Sequence, residues 1–138
     1  MKKLFILLPI LLLILSCQVE GELTRTVDDA VIIPNAILKY HGIFEPTNGI
    51  SVSGEAKIYQ EGNQYKLKLD NFSVSSGPDL KVYLSKAATP TDFVNLGNLT
   101  SQTVYQIPQS VNVSNYSHVL IHCQQYSHLY AVAELIQN

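Results

Sequence analysis

Residues 65–70 run Tyr-Lys-Leu-Lys-Leu-Asp, an unbroken alternation of apolar and polar side chains. A period of two puts Tyr65, Leu67 and Leu69 on one face of a strand and Lys66, Lys68 and Asp70 on the other; a helix would scatter them. Just upstream, residues 51–60 (SVSGEAKIYQ) hold Val52, Ala56 and Ile58 in similar phase, with Gly54 placed for a bulge. Between the two runs Glu61-Gly62-Asn63 supplies turn residues, so residues 51–70 form a hairpin with one apolar face. Such a face has to be buried against more of the same, and the rest of the chain is constrained to provide it.

It does so with further short strands. Ser75-Ser76-Gly77-Pro78 makes a corner, and residues 80–85 (LKVYLS) set Leu80, Val82 and Leu84 on one side. Residues 87–103 form a long connection with Pro90 and Gly97, pinned to the core by Phe93, Val94, Leu96 and Leu99. A short strand over 104–108 ends at Pro108, and two last strands over 117–123 and 128–136 join through a turn around 124–127. Residues 27–40 are ambiguous, since Val31-Ile32-Ile33 favours a strand and Pro34 interrupts it. No long amphipathic helix and no βαβ alternation occurs. The expected fold is all-β, a small antiparallel sandwich or barrel of about seven to eight strands, over residues 41–138.

The N-terminus carries a different signal. Met1-Lys2-Lys3 is basic, and residues 4–15 are apolar apart from Pro9. Spanning a bilayer takes roughly 20 apolar residues, so the run has the length of a signal-peptide core instead. Ile14-Leu15-Ser16-Cys17 resembles the bacterial lipoprotein cleavage box, with Ile14 where Leu is usual. That resemblance implies a signal peptide over 1–16, cleavage before Cys17, acylation of Cys17, and a lipidated tether and lead-in over 17–40. Gln18 is not the Asp that commonly marks inner-membrane retention, so the expected location is the bacterial cell envelope, anchored to the outer membrane. Loss of Lys2 and Lys3 makes the mature chain more acidic than the formal −2 of the whole sequence. With no Lys/Arg cluster, nucleic acid is not an expected partner.

Acylation of Cys17 would leave Cys123 as an unpaired thiol in an exported protein. On a strand over 117–123, Val119, Ile121 and Cys123 share one face, while His118, Leu120 and His122 share the other. The Cys face is apolar, and a thiol buried in such surroundings is inert. His122, pointing the opposite way, cannot activate it; a base from another strand could. His118 and His122 lie about 13 Å apart along a strand, too far to hold one ion together. His128 could lie opposite one of them, and His41 is distant in sequence, so no metal site is assigned and these are expected to be solvated strand histidines. Asp79 in Gly77-Pro78-Asp79-Leu80 suits bonding to turn amides, with ligation of a metal or substrate as the sharper reading. Tyr59 and Tyr83 fall on outward phases. No Gly-X-Ser-X-Gly elbow, His-Glu-X-X-His or phosphate loop is present, so nothing points to ordinary hydrolytic catalysis, and whether the chain is an enzyme stays open, with an accessory or binding domain expected ahead of a stand-alone enzyme.

One order of motifs runs through the domain: His41-Gly42-Ile43-Phe44, Gly54-Glu55-Ala56, Asp70-Asn71-Phe72, Gly77-Pro78-Asp79-Leu80, Tyr105-Gln106-Ile107-Pro108, Ile121-His122-Cys123 and Tyr130-Ala131-Val132-Ala133-Glu134-Leu135. It resembles the DM-thirteen domain, a DOMON-associated family, over about residues 41–136. The resemblance implies an electron-transfer or redox role, with Cys123 as the redox thiol and a redox partner protein. Two positions depart from the family pattern: His122 stands where an aromatic residue, commonly Trp, is usual, and Tyr130-Ala131 stands where Phe-Gly is usual. A Cβ at Ala131 narrows the room for a cofactor. One thiol cannot run an intramolecular dithiol cycle; it would act as a mixed disulfide, a sulfenate, or a ligand to haem or metal. Local spacing supplies no further ligands, so the cofactor stays unassigned. The alternative from another class is a non-enzymatic binding or adhesion module, its tyrosine surface contacting a glycan, small ligand or partner protein.

Overall fold

A computed structural model describes residues 31–138. The expected signal peptide over 1–16, the expected acylation site Cys17 and the expected tether as far as Ala30 lie outside the described residues. The rest is built from nine strands: β1 (Ile37–Pro46), β2 (Val52–Glu61), β3 (Gln64–Val74), β4 (Leu80–Ser85), β5 (Phe93–Asn98), β6 (Val104–Ile107), β7 (His118–Cys123), β8 (His128–Glu134) and β9 (Ile136–Gln137), with one 3₁₀ turn at Val113–Asn115. All pairings are antiparallel, in the order β5-β4-β7-β8-β1-β2-β3-β6, and β9 pairs with β1. The all-β expectation holds, and the sheet curls into a nearly closed barrel.

The β2–β3 hairpin is the one the alternation predicts. Leu67 and Leu69 face Ile58 and Ala56 across the ladder, and all four are buried. Lys57, Lys66 and Lys68 point outward and pair with Asp70 and Glu61. Gly54 is the bulge: the register shifts between Ser53 and Glu55, its φ is +104°, and a Cβ there would stand 2.6 Å from the Asp70 carbonyl oxygen. The interior is completed by Phe44, Val82, Leu84, Tyr105, Ile107, Val119, Ile121, Ala131 and Ala133. Small Ala131 and Ala133 on β8 leave room for the larger residues opposite them, as interiors at close-packed density require.

Two elements differ from expectation. Residues 93–98, expected as part of an irregular connection, form β5 on β4, so Leu84 pairs with Val94 and Tyr83 with Asn95. The alternation was present, but Asn95 and Gly97 obscured it. Gly97 adopts φ +128° at a register shift, and its N–H bonds the Asn95 side chain at 2.9 Å. The final strand is also broken: β8 stops at Glu134, the Leu135 N–H reaches the Ser117 carbonyl at 2.8 Å, and Ile136 crosses to pair with His41.

Candidate functional site

Cys123 is the last residue of β7 and points into the barrel, 1% exposed. Its face is the apolar one the alternation assigns, shared with Val119 and Ile121. Across the ladder it stands opposite Leu80 on β4 and His128 on β8. Directly opposed residues of antiparallel strands share a face with Cβ atoms about 5 Å apart. Leu80, Cys123 and His128 therefore form one row at the end of the barrel.

The β7–β8 ladder skips a residue next to this row. Ile121 pairs with Ala131 but His122 pairs with Leu129, which leaves Tyr130 as the extra residue of a bulge. Its ring is buried in the core cluster, and its hydroxyl lies 3.5 Å from the Ser76 carbonyl. A Cβ on Gly77 would come within 2.8 Å of both the Tyr130 hydroxyl and Leu80 Cδ2. Glycine at 77 thus lets the Gly-Pro-Asp-Leu corner close over the row, with Tyr130 beneath it. The Gln124 N–H, one residue past the thiol, bonds the Asp79 carbonyl at 3.0 Å and ties the corner down. It is the carbonyl of Asp79 that braces the corner; the carboxylate pairs with Lys81 at 3.0 Å. A cleft of about 500 Å³ runs along the outside of the corner between residues 74–80 and 98–100.

The imidazole of His128 is exposed and lies edge-on to Tyr130, with ring centroids 4.9 Å apart. Expected among the solvated strand histidines, His128 instead stands opposite the cysteine in the register. The signal was countable: Gln124, Gln125, Tyr126 and Ser127 make a four-residue connection, so the flanking positions 123 and 128 pair. Ser127, at φ +49°, closes that turn.

His122 corrects the expectation of solvated histidines. It is on the outer face, yet only 7% exposed. Tyr83, outward in phase and expected to be available on the surface, is 2% exposed. The cause is β5: Phe93 stacks on Tyr83 with centroids 4.1 Å apart, and Tyr83 lies 5.4 Å from His122. The three rings make a small second core outside the barrel. Nδ1 of His122 is buried without a hydrogen-bond partner. Burial, and then His128 nearby, push the His122 imidazole below its ordinary value of 6.5. Burial likewise raises the Tyr83 phenol.

His118 sits at the other end of β7, with Nδ1 2.7 Å from Ser117 Oγ, and His41 is on β1. Among the described residues, no three His, Cys, Asp or Glu side chains converge as metal ligands. What the barrel end offers chemically is one shielded thiol with an imidazole across the ladder, under a cover made of a corner and a ring.

The family described as Electron transfer DM13 matches residues 44–135. The chain belongs to this family. The matched span runs from Phe44 on β1 to Leu135 beyond β8 and includes Cys123, His128, Tyr130 and the Gly-Pro-Asp-Leu corner. Membership points to a redox-related role. No curated protein and no solved structure matches the chain.

Proposed function

We propose that this DM13 domain exchanges electrons with a partner protein through Cys123, as a lipid-anchored domain of the bacterial cell envelope. The observation that carries the reading is the row at the barrel end, where the free thiol stands across the ladder from His128. In the matching step, Cys123 gives its thiol proton to His128 or water, and Sγ attacks a partner disulfide. One S–S bond breaks, a new one forms to Cys123, and the leaving sulfur takes up a proton as a thiol. Cys123 is oxidised and the partner sulfur reduced, with atoms and charge in balance. Attack requires access, so the corner over Leu80 and Tyr130 has to open first.

The anchor rests on the Ile14-Leu15-Ser16-Cys17 box, with Cys17 acylated and the outer membrane as the destination. The tyrosine-surface alternative loses one of its two named contacts, because Tyr83 is covered by Phe93.

The test is thiol labelling of the native protein with a disulfide reagent. Labelling faster than global unfolding is expected, abolished in Cys123→Ser and accelerated about tenfold in Tyr130→Ala, where the cover is removed. His128→Ala should slow labelling near neutral pH. If Cys123 reacts only at the rate of unfolding in all of these proteins, the reading fails.

A further inference from the structure

We infer that Asn48, in the turn between β1 and β2, is a site of spontaneous modification, deamidating to isoaspartate and so loosening the bulge at Tyr130. The inference is independent of the redox reading, since the turn alone carries the chemistry. Of the asparagines in the sequence, only Asn48 is followed by glycine. Elsewhere the following residue bears a side chain, which crowds the backbone nitrogen that would have to attack. Several other carboxamides are also held in place. The Asn95 side chain accepts from the Gly97 N–H, that of Asn112 from the Ser114 N–H, and that of Asn98 from the Lys81 ammonium.

The geometry leaves Asn48 and Gly49 free to react. The Ile50 N–H bonds the Thr47 carbonyl at 3.1 Å and Gly49 sits at φ +81°, as in a type II turn. Both central residues are exposed, and a Cβ on Gly49 would meet no atom within 4 Å. Among the described residues, neither the Asn48 carboxamide nor the Gly49 N–H has a hydrogen-bond partner. A single backbone bond closes the turn across them, so the local opening that aligns nitrogen and carbonyl costs far less than unfolding.

In the reaction the Gly49 nitrogen attacks Cγ of Asn48. A new C–N bond forms, the bond from Cγ to Nδ2 breaks, and ammonia leaves with the Gly49 amide proton. Water then opens the cyclic imide. Opening at Cγ gives aspartate; opening at the main-chain carbonyl routes the backbone through Cβ and Cγ and lengthens it by an atom. Either way a neutral amide becomes a carboxylate. The extra atom falls where the turn braces the bulge. Thr47 donates its N–H to the Tyr130 carbonyl at 3.0 Å, and its hydroxyl lies against the carbonyls of Leu129 and Tyr130. A lengthened turn cannot keep the bond from Ile50 to Thr47 in place, so Thr47 loses its fixed position and the bulge its brace. Tyr130 is the ring beneath the corner that covers Cys123.

Ageing the native chain in neutral buffer, with peptide mapping by mass spectrometry, tests this. Isoaspartate should accumulate at Asn48 about tenfold faster than at any other asparagine. The rate should rise with pH, because the attacking amide has to lose its proton. Asn48→Gln should stay unmodified at this position, since its longer side chain closes the ring far more slowly. The aged form, separated by its added negative charge, should exchange the Thr47 and Ile50 amide hydrogens faster, while the β2–β3 ladder keeps its protection. Aged Asn48→Gln protein should show no such change. Modification at Asn48 no faster than at the other asparagines overturns the inference. So does an isoaspartyl form whose Thr47 exchange matches that of fresh protein.

Discussion

The orphaned ring nitrogen of His122 ties one residue to the pH dependence of the whole fold. Burial under Tyr83 favours the neutral imidazole, so the folded state holds this proton less tightly than the unfolded chain does. Below the ordinary value of 6.5 the unfolded chain binds more protons, and linkage then lowers stability as pH falls toward the depressed folded value. Above 6.5 both states are neutral at this site and its contribution is constant. The carboxylates whose values move go down, away from this window: Asp70 is held by the Lys57 ammonium, and Glu61, which burial alone would raise, is pulled down by Lys66 and the Ile33 N–H. The urea midpoint should therefore fall between pH 7 and pH 5, and His122→Leu should flatten that slope. An unchanged slope in the variant would mean the proton is taken up elsewhere. Alternation along β7 places His122 on the outer face, where it is found, but does not foretell its burial. Alternation gives a side chain's face, but exposure depends on what the neighbouring strand puts over that face.

That neighbour is β5. Its inward residues Val94 and Leu96 look like the anchors of a loop, and its outward Phe93 and Asn95 do not mark a solvent face. The strand emerges only once β4 offers it an edge to pair with, a non-local condition that composition does not carry. The β2–β3 hairpin and the corner at Gly77 were legible because their signals are local: strict alternation, turn residues, a glycine where a Cβ has no room. The Cys123–His128 pairing was half legible, requiring only a count across the turn. Tyr130's inward turn was not, because a bulge resets the alternation. The consequence for β5 is testable. Phe93→Ala removes a stacked pair worth about 1 kcal/mol beyond its buried area, so stability should drop by roughly 1–2 kcal/mol. Opening the second core should also let the His122 imidazole rise back toward its ordinary value, which an NMR titration of the ring would follow. Loss of stability with no movement of that titration would mean that Phe93 packs on Tyr83 without shielding His122.

At the scale of the molecule, the barrel is continuous except between β5 and β6, which end the strand order and share no ladder. Something has to hold that seam, since an open sheet edge leaves amides and carbonyls without partners. Tyr105 on β6 does so from within: its buried hydroxyl donates to the Asn98 carbonyl at 3.0 Å and accepts from the Thr100 N–H at 3.4 Å. Asn98 ends β5, so this one side chain pins the two edge strands together. Burial raises the phenol above its ordinary range, opposed by the bond from Thr100, and keeps it in the protonated form that can donate. The Leu99 N–H, bonded to the Leu80 carbonyl at 2.8 Å, connects the same segment to the first residue of the Cys123 row. The seam and the barrel end are thus neighbours through Leu80. Tyr105→Phe keeps the ring and removes both bonds, at a cost of about 1 kcal/mol or somewhat more if the Asn98 carbonyl is left unsatisfied. Hydrogen exchange should then speed up in β5, in β6 and at Leu99, while the β2–β3 ladder keeps its protection. If the corner moves with the seam, thiol labelling of Cys123 will speed up in the same variant. A uniform rise in exchange across all strands would instead mean that the seam opens only with the whole barrel, and the thiol would have no private route to solvent.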